Sequence, residues 1–222
     1  MRGRFLVLEG VDGSGKSTQA ERLVRRLEAE GRRPLHLREP GGTPVGERLR
    51  AMLLDAERRR WDPRTEALLF FASRAEMLVR RVRPALREGR DVVCERFTPS
   101  TLAYQGQDPE TEGFVLALDD LVVGRDGQPD LVIILDLDPE VSLERTRSRA
   151  WYGDTETSFE RRDAAYYRRV RQGYLAYARA RAERTFLLPV GGLDADQVEA
   201  RIAERLRALD AAPPASRREG SP

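Results

Sequence analysis

Nine residues constrain this chain more than any others: Gly10-Val11-Asp12-Gly13-Ser14-Gly15-Lys16-Ser17-Thr18 fits GxxxxGK(S/T). The pattern has physical meaning only between a strand and a helix, and it lies between them here. Phe5 to Leu8 is an apolar run of strand length, and Ala20, Leu23, Val24 and Leu27 recur at helical spacing among Arg and Glu. The loop glycines let backbone N–H groups close around phosphate oxygens, and the following helix adds the positive end of its dipole. Lys16 would reach the terminal phosphates and Ser17 would offer a hydroxyl to magnesium. Of the 39 basic residues, Lys16 is the single lysine; the others are arginines. A compact ammonium on a flexible stem suits the inside of a phosphate loop better than a wide planar guanidinium.

The chain has 222 residues, enough for one α/β domain with a sizeable core. With 39 basic against 37 acidic residues the net charge is only +2, so most arginines have carboxylates to answer them. That balance argues against a nucleic-acid partner, which calls for a surface of one sign. The single Cys94 sits in an apolar run and reads as a small buried hydrophobe in a reducing compartment. No stretch is apolar for long enough to span a membrane, and the first residues lack the long apolar core of a signal peptide. The expected compartment is the cytoplasm, with no membrane partner.

In chain order, Leu35-His36-Leu37 is a short strand, with His36, the only histidine, read as a strand residue rather than a catalyst. Helices are expected at about 45–54 and 63–83, with Pro84 ending or kinking the second. A strand Asp91 to Cys94 ends at Glu95 and Arg96, followed by a loop from Thr98 to Asp108 and a helix through Phe114, Leu118 and Leu121. Leu131 to Leu135 is the clearest strand and is closed by Asp136. A helix follows from Pro139 to about Arg149, then a polar stretch, a long helix from about Phe159 to Arg184, a strand at Phe186 to Leu188 and a last helix. Residues 211–222, rich in Ala, Pro, Ser and Gly, read as a disordered tail. Five strands with interleaved helices predict an α/β parallel sheet covered on both faces. Glu95 and Asp136 both end apolar strands, so on pattern alone either could be the acidic partner of Ser17 at a metal.

A resemblance joins these pieces. Glu9-Gly10 entering the phosphate loop, Arg38-Glu39-Pro40-Gly41-Gly42-Thr43, Phe70 with Arg74, Glu95-Arg96-Phe97 and Ser100 through Gly106 resemble the thymidylate kinase family in order and spacing over roughly residues 3 to 208. The resemblance implies a P-loop kinase fold with a lid, a kinase domain over 1–210 with the lid at about 147–160, and usually a homodimer. It implies transfer of the γ-phosphate of ATP to dTMP, with magnesium held by Ser17 and Glu95. The loop residues Gly10 to Thr18 would bind ATP. Phe70 would stack on thymine, although core packing beside Phe71 is the alternative. Arg74 would bond the base, Thr101 and Gln105 would read its edge, and Tyr104 would crowd a 2′-hydroxyl. Asp12 and Glu39 join the dTMP site, Arg50 clamps the acceptor phosphate, and Arg96 lies between donor and acceptor. Position 13 is Gly rather than the arginine some members carry there, so Arg149 at the lid would supply the catalytic charge beside Lys16, Arg96 and Glu95.

Two departures stand out. Glu95 replaces the more usual Asp, and the family's Asp-Arg before the lid-exit helix appears as Thr157-Ser158, where Arg161 or Arg162 could substitute. The other classes open to such a chain fare worse. A regulatory GTPase needs a second lysine for guanine recognition. An arginine-rich nucleic-acid binder would have to be read from residues 145–184, where 11 arginines face 5 acidic residues. A kinase for nucleosides or another nucleotide keeps the fold and changes only the acceptor.

Overall fold

Short runs rich in Val, Leu and Ile, bounded by turn residues, form five strands: β1 Phe5–Glu9, β2 Leu35–Arg38, β3 Val92–Glu95, β4 Leu131–Asp136 and β5 Thr185–Pro189. The structure is a computed structural model and describes residues 2–55, 61–151 and 164–211, the side chains of 146–151 excepted. All strand pairs are parallel, in the order β2-β3-β1-β4-β5. The side chains of β1 and β4 are almost wholly buried whichever way they point, because helices cover both faces. The expected α/β parallel sheet is therefore the observed one.

The order matters for function. β1 lies between β3 and β4: the connection out of β1 runs to β2 on one side and that out of β3 to β4 on the other, which opens a crevice at the carboxyl edge, where ligands of such sheets gather. Leu8 stands opposite Glu95 and Glu9 opposite Ile134, so both strand-ending carboxylates arrive at that edge.

Nine α-helices are described: α1 Lys16–Ala29, α2 Pro44–Leu54, α3 Pro63–Met77, α4 Arg83–Arg87, α5 Thr98–Tyr104, α6 Pro109–Leu118, α7 Pro139–Trp151, α8 Ala164–Ala180 and α9 Ala195–Ala211. Four differ from the sequence reading; in one, the helix expected through Leu121 is α-helical only to Leu118 and continues as a π-turn, Asp119–Val123. The helix expected to run to Arg83 loosens into a π-turn over Leu78–Val82 and continues as α4. Pro84 has no N–H and crowds the preceding turn, and widening that turn accommodates it without stopping the helix. Residues 98–104, expected as loop, form α5, with Pro99 in its first turn. The long helix ends at Ala180 and gives way to a 3-10 turn, Ala182–Arg184, before β5; its expected start near Phe159 lies outside the described residues, as do most of the lid at 147–160, its Thr157, Ser158, Arg161 and Arg162, and the tail after Ala211.

α5 packs on α8, and these two helices hold much of the site. Their contact is close because Gly173 faces Ala103: a Cβ at 173 would come within 2.7 Å of the Ala103 Cα. Replacing glycine normally favours a helix by about 1 kcal/mol, but overpacking against backbone costs about 1–3 kcal/mol and a β-branched side chain gains less of the propensity. We expect Gly173→Val to lower the unfolding free energy by about 2 kcal/mol, read as a lower denaturant midpoint at constant slope; an unchanged midpoint would show that the helices can separate freely.

Candidate active site

The loop leaving β1 is built to point N–H groups inward. Gly10 has φ 134, and a side chain there would meet the Leu135 carbonyl oxygen at 2.5 Å, so the turn requires glycine. Three loop carbonyls are held by side chains. Lys16 Nζ donates to Val11 O (2.8 Å), Ser142 Oγ to Asp12 O (2.6 Å) and Arg145 Nη1 to Gly13 O (3.2 Å). Ser14 N also donates to Val11 O (3.3 Å), which closes the loop just before the start of α1, where an anion is favoured. Burial, with Arg96 nearby, lowers the Lys16 ammonium from 10.5 to about 8.

Arg96 is the centre of charge. It takes the left-handed conformation, φ 66, uncommon for a side chain of this size. Its guanidinium pairs with Asp12 and donates to Ser100 Oγ (3.1 Å) and Tyr174 OH (3.2 Å). Burial opposes charge on Asp12, but Arg96 and Lys16 prevail and hold its carboxyl at about 2. Behind Arg96 is Glu9, fully buried, which accepts from Phe97 N (2.7 Å), Ser100 N (3.2 Å) and Ser100 Oγ (2.6 Å), with Tyr174 OH at 3.2 Å. Glu9 thus caps the first turn of α5; its burial pushes its carboxyl up, with Arg96 pulling the other way.

Beside Arg96 opens a cavity of about 190 Å³ lined by Asp12, Glu39, Arg50, Phe70, Arg74, Arg96, Thr101, Tyr104 and Gln105 among others. All nine residues assigned from sequence to the acceptor site are therefore brought together. Phe70 is half-buried and lines the cavity, whereas Phe71 is in the core. Arg74, 1% exposed, is gripped by Glu39 (2.7 Å) and Thr101 (3.0 Å) and lies over the Phe71 and Phe97 rings. Its Nη1 has no hydrogen-bond partner among the described residues. Arg74 lines the cavity, and a buried guanidinium nitrogen left without a partner is an exception that a ligand's acceptor would remove. Burial drives the Glu39 carboxyl above its ordinary value despite Arg74. Arg50 donates to Pro40 O (3.0 Å); burial and then Arg38 disfavour its charge, so an anion there would be welcome.

Ser17 Oγ donates to Glu95 Oε2 at 2.5 Å, while Asp136 is held bidentately by Arg171 at 2.6 and 2.9 Å. Of the two rival carboxylates, then, Glu95 adjoins the loop hydroxyl and Asp136 serves as an anchor for α8. An all-oxygen pair suits a hard divalent cation. His36 is a strand residue, as expected, but its Nε2 also lies 3.1 Å from Glu95 Oε1. Ser17 and Thr18 are exposed at the start of α1. The side chain of Arg149 lies outside the described residues. Glu9 as a buried hub, Ser100, Tyr174, Glu66 and the His36 contact escaped the sequence reading, because each depends on a partner distant in the chain.

The thymidylate kinase family model matches residues 8–202. A thymidylate kinase of Dinoroseobacter shibae is 43% identical over 205 residues, covering 90% of this chain and 93% of the relative. One of Pelotomaculum thermopropionicum is 43% identical over 210 residues, covering 95% and 91%. The crystal structure of thymidylate kinase from Ehrlichia chaffeensis superposes with a TM-score of 0.72 at 28% identity, covering 93% of this chain and 99% of that one.

The lowered Lys16 value has a measurable consequence. Between about 8 and 10.5 the unfolded chain holds a proton on this residue that the folded chain has lost, so this group makes stability rise with pH across that window. Comparison of wild type with Lys16→Met by denaturant unfolding at pH 7 and pH 10 should show wild type gaining about 2 kcal/mol relative to the variant. An equal difference at both pH values would mean the ammonium is not perturbed.

Proposed function

Because the chain belongs to the thymidylate kinase family, we propose that it transfers the γ-phosphate of ATP to dTMP, giving ADP and dTDP. The observation that carries this reading is buried Arg74, its Nη1 without a partner among the described residues, lining a cavity that Arg96 joins to a phosphate loop. Phe70 offers a ring for the pyrimidine, Arg74 a donor for its carbonyl, and Tyr104 bulk beside the sugar. Arg50 and Arg96 receive the acceptor phosphate as guanidinium forks.

The attacking group is an oxygen of the dTMP phosphate, already an anion, so no side chain need remove a proton. The work left to the protein is alignment and charge. Amides of the loop and Lys16 hold the β- and γ-phosphates, Arg96 spans donor and acceptor, and Arg149, on α7 at the entry to the lid, neutralises charge on the moving phosphoryl group. Ser17 and Glu95 would hold Mg2+, which supplies neutralisation of the phosphate oxygens when bound. Residues 1–210 form one kinase domain, with the lid at about 147–160 closing over ATP to exclude water.

The working form is a homodimer; exposed Val45 and Met52 on α2 and Leu68 on α3 support an apolar contact there. No helix of the described residues is long and apolar enough to cross a membrane. The single cysteine supports a reducing, cytoplasmic setting.

An ADP-release assay with ATP and dTMP, dUMP or thymidine tests the reaction: dTMP should be the best acceptor, and a preference for thymidine would overturn the assignment. Arg149→Ala should lower turnover by on the order of a thousandfold with little change in dTMP affinity. Undiminished turnover would remove Arg149 from the mechanism.

A further inference from the structure

Gln105, just past the end of α5, is 3% exposed and lines the acceptor cavity. Its amide could be turned either way, offering the cavity a donor or an acceptor, and these choices select opposite bases. The structure decides through a residue outside the cavity lining. Gln105 Nε2 donates to Glu66 Oε2 at 3.0 Å, and Glu66, on the first turn of α3, is itself buried. A carboxylate only accepts, so turning the Gln105 amide over would set two oxygens against each other away from water, a costly arrangement. With Nε2 committed, Oε1 is the atom left for a ligand; no described residue donates to it.

We infer that Glu66 is a specificity-determining positioning residue, which locks Gln105 so that the cavity presents one acceptor beside one donor and thereby excludes cytosine. The donor is Arg74, which lines the same cavity and whose Nη1 has no partner among the described residues. A thymine or uracil ring carries a carbonyl oxygen next to an N3–H, the complement of that pair. Cytosine carries an amino group next to a bare N3, so each of its groups would meet one of like kind. Rejection of the wrong pattern by buried, unpaired polar groups is far stronger than rejection by size. This inference rests on the acceptor being a pyrimidine monophosphate bound in the cavity, and adds the means by which its base is chosen.

The test is the ratio of kcat/KM for dTMP to kcat/KM for dCMP, measured with ATP on the full chain at pH 8. The ratio does not depend on how much of a preparation is folded. In Glu66→Gln the partner can accept or donate, the Gln105 amide can turn, and the ratio should fall at least about tenfold, chiefly because dCMP becomes a better substrate. The exchange Glu66→Gln with Gln105→Glu keeps one amide and one carboxylate but again leaves only an acceptor for the ring, so the preference for dTMP should return. A ratio in Glu66→Gln within about threefold of wild type, or an exchange variant that is active without preferring dTMP, would overturn the inference. The exchange variant decides the matter even where the single variant does not fold. Failure of wild type to use dTMP at all would instead overturn the functional reading.

Discussion

The ion pair between Arg96 and Asp12 holds the site together. One partner belongs to the loop after β1 and the other follows β3, and both line the cavity, so this contact joins two regions that the chain makes separately. Arg96 reaches it from a left-handed backbone conformation, which costs on the order of 1 kcal/mol or more and persists only where its surroundings enforce it. They do so through Ser100, Tyr174 and the buried Glu9. Removing one partner from such a cluster strands another charge away from water, commonly at about 3–5 kcal/mol. Folding and preorganisation of the site are therefore parts of one network.

That network explains why the parallel sheet is useful here. β1 ends in Glu9 and β3 in Glu95, adjacent at the same edge, with one supporting α5 and the other adjoining the hydroxyl of α1. α8 brings Tyr174 back onto the same cluster and anchors itself on Asp136 through Arg171. α8 thus bears directly on Arg96. Burial raises the Tyr174 phenol, with the Glu9 carboxylate acting the same way, which keeps that hydroxyl a donor and acceptor at neutral pH.

What could be read from the sequence was whatever is local. The phosphate loop, the strand before it and the amphipathic helix after it lie within about one element of each other, and Phe70 with Arg74 needs only helical spacing to share a face. The sheet followed because its strands are short apolar runs. By contrast α5 reads as loop, since its seven residues are few and its cap is the carboxylate of Glu9, 91 residues from Ser100. Glu66 and Gln105 meet across 39 positions, and His36 reaches Glu95 across 59. Charged residues brought together over such distances leave no periodic trace, and among so many arginines no spacing singles out Arg96. The π-turn before Pro84 escaped because proline usually stops a helix, and here the preceding turn widened instead.

If Arg96 indeed makes one site of loop and cavity, adenosine and thymidine joined through a chain of five phosphates should occupy both at once, and titration calorimetry measures this directly. Binding at one molecule per chain, at least a hundredfold tighter than ATP or dTMP alone, is the predicted result, because the second half then binds without a further loss of freedom. An affinity no better than that of the tighter single nucleotide would mean that the two regions are not aligned for transfer.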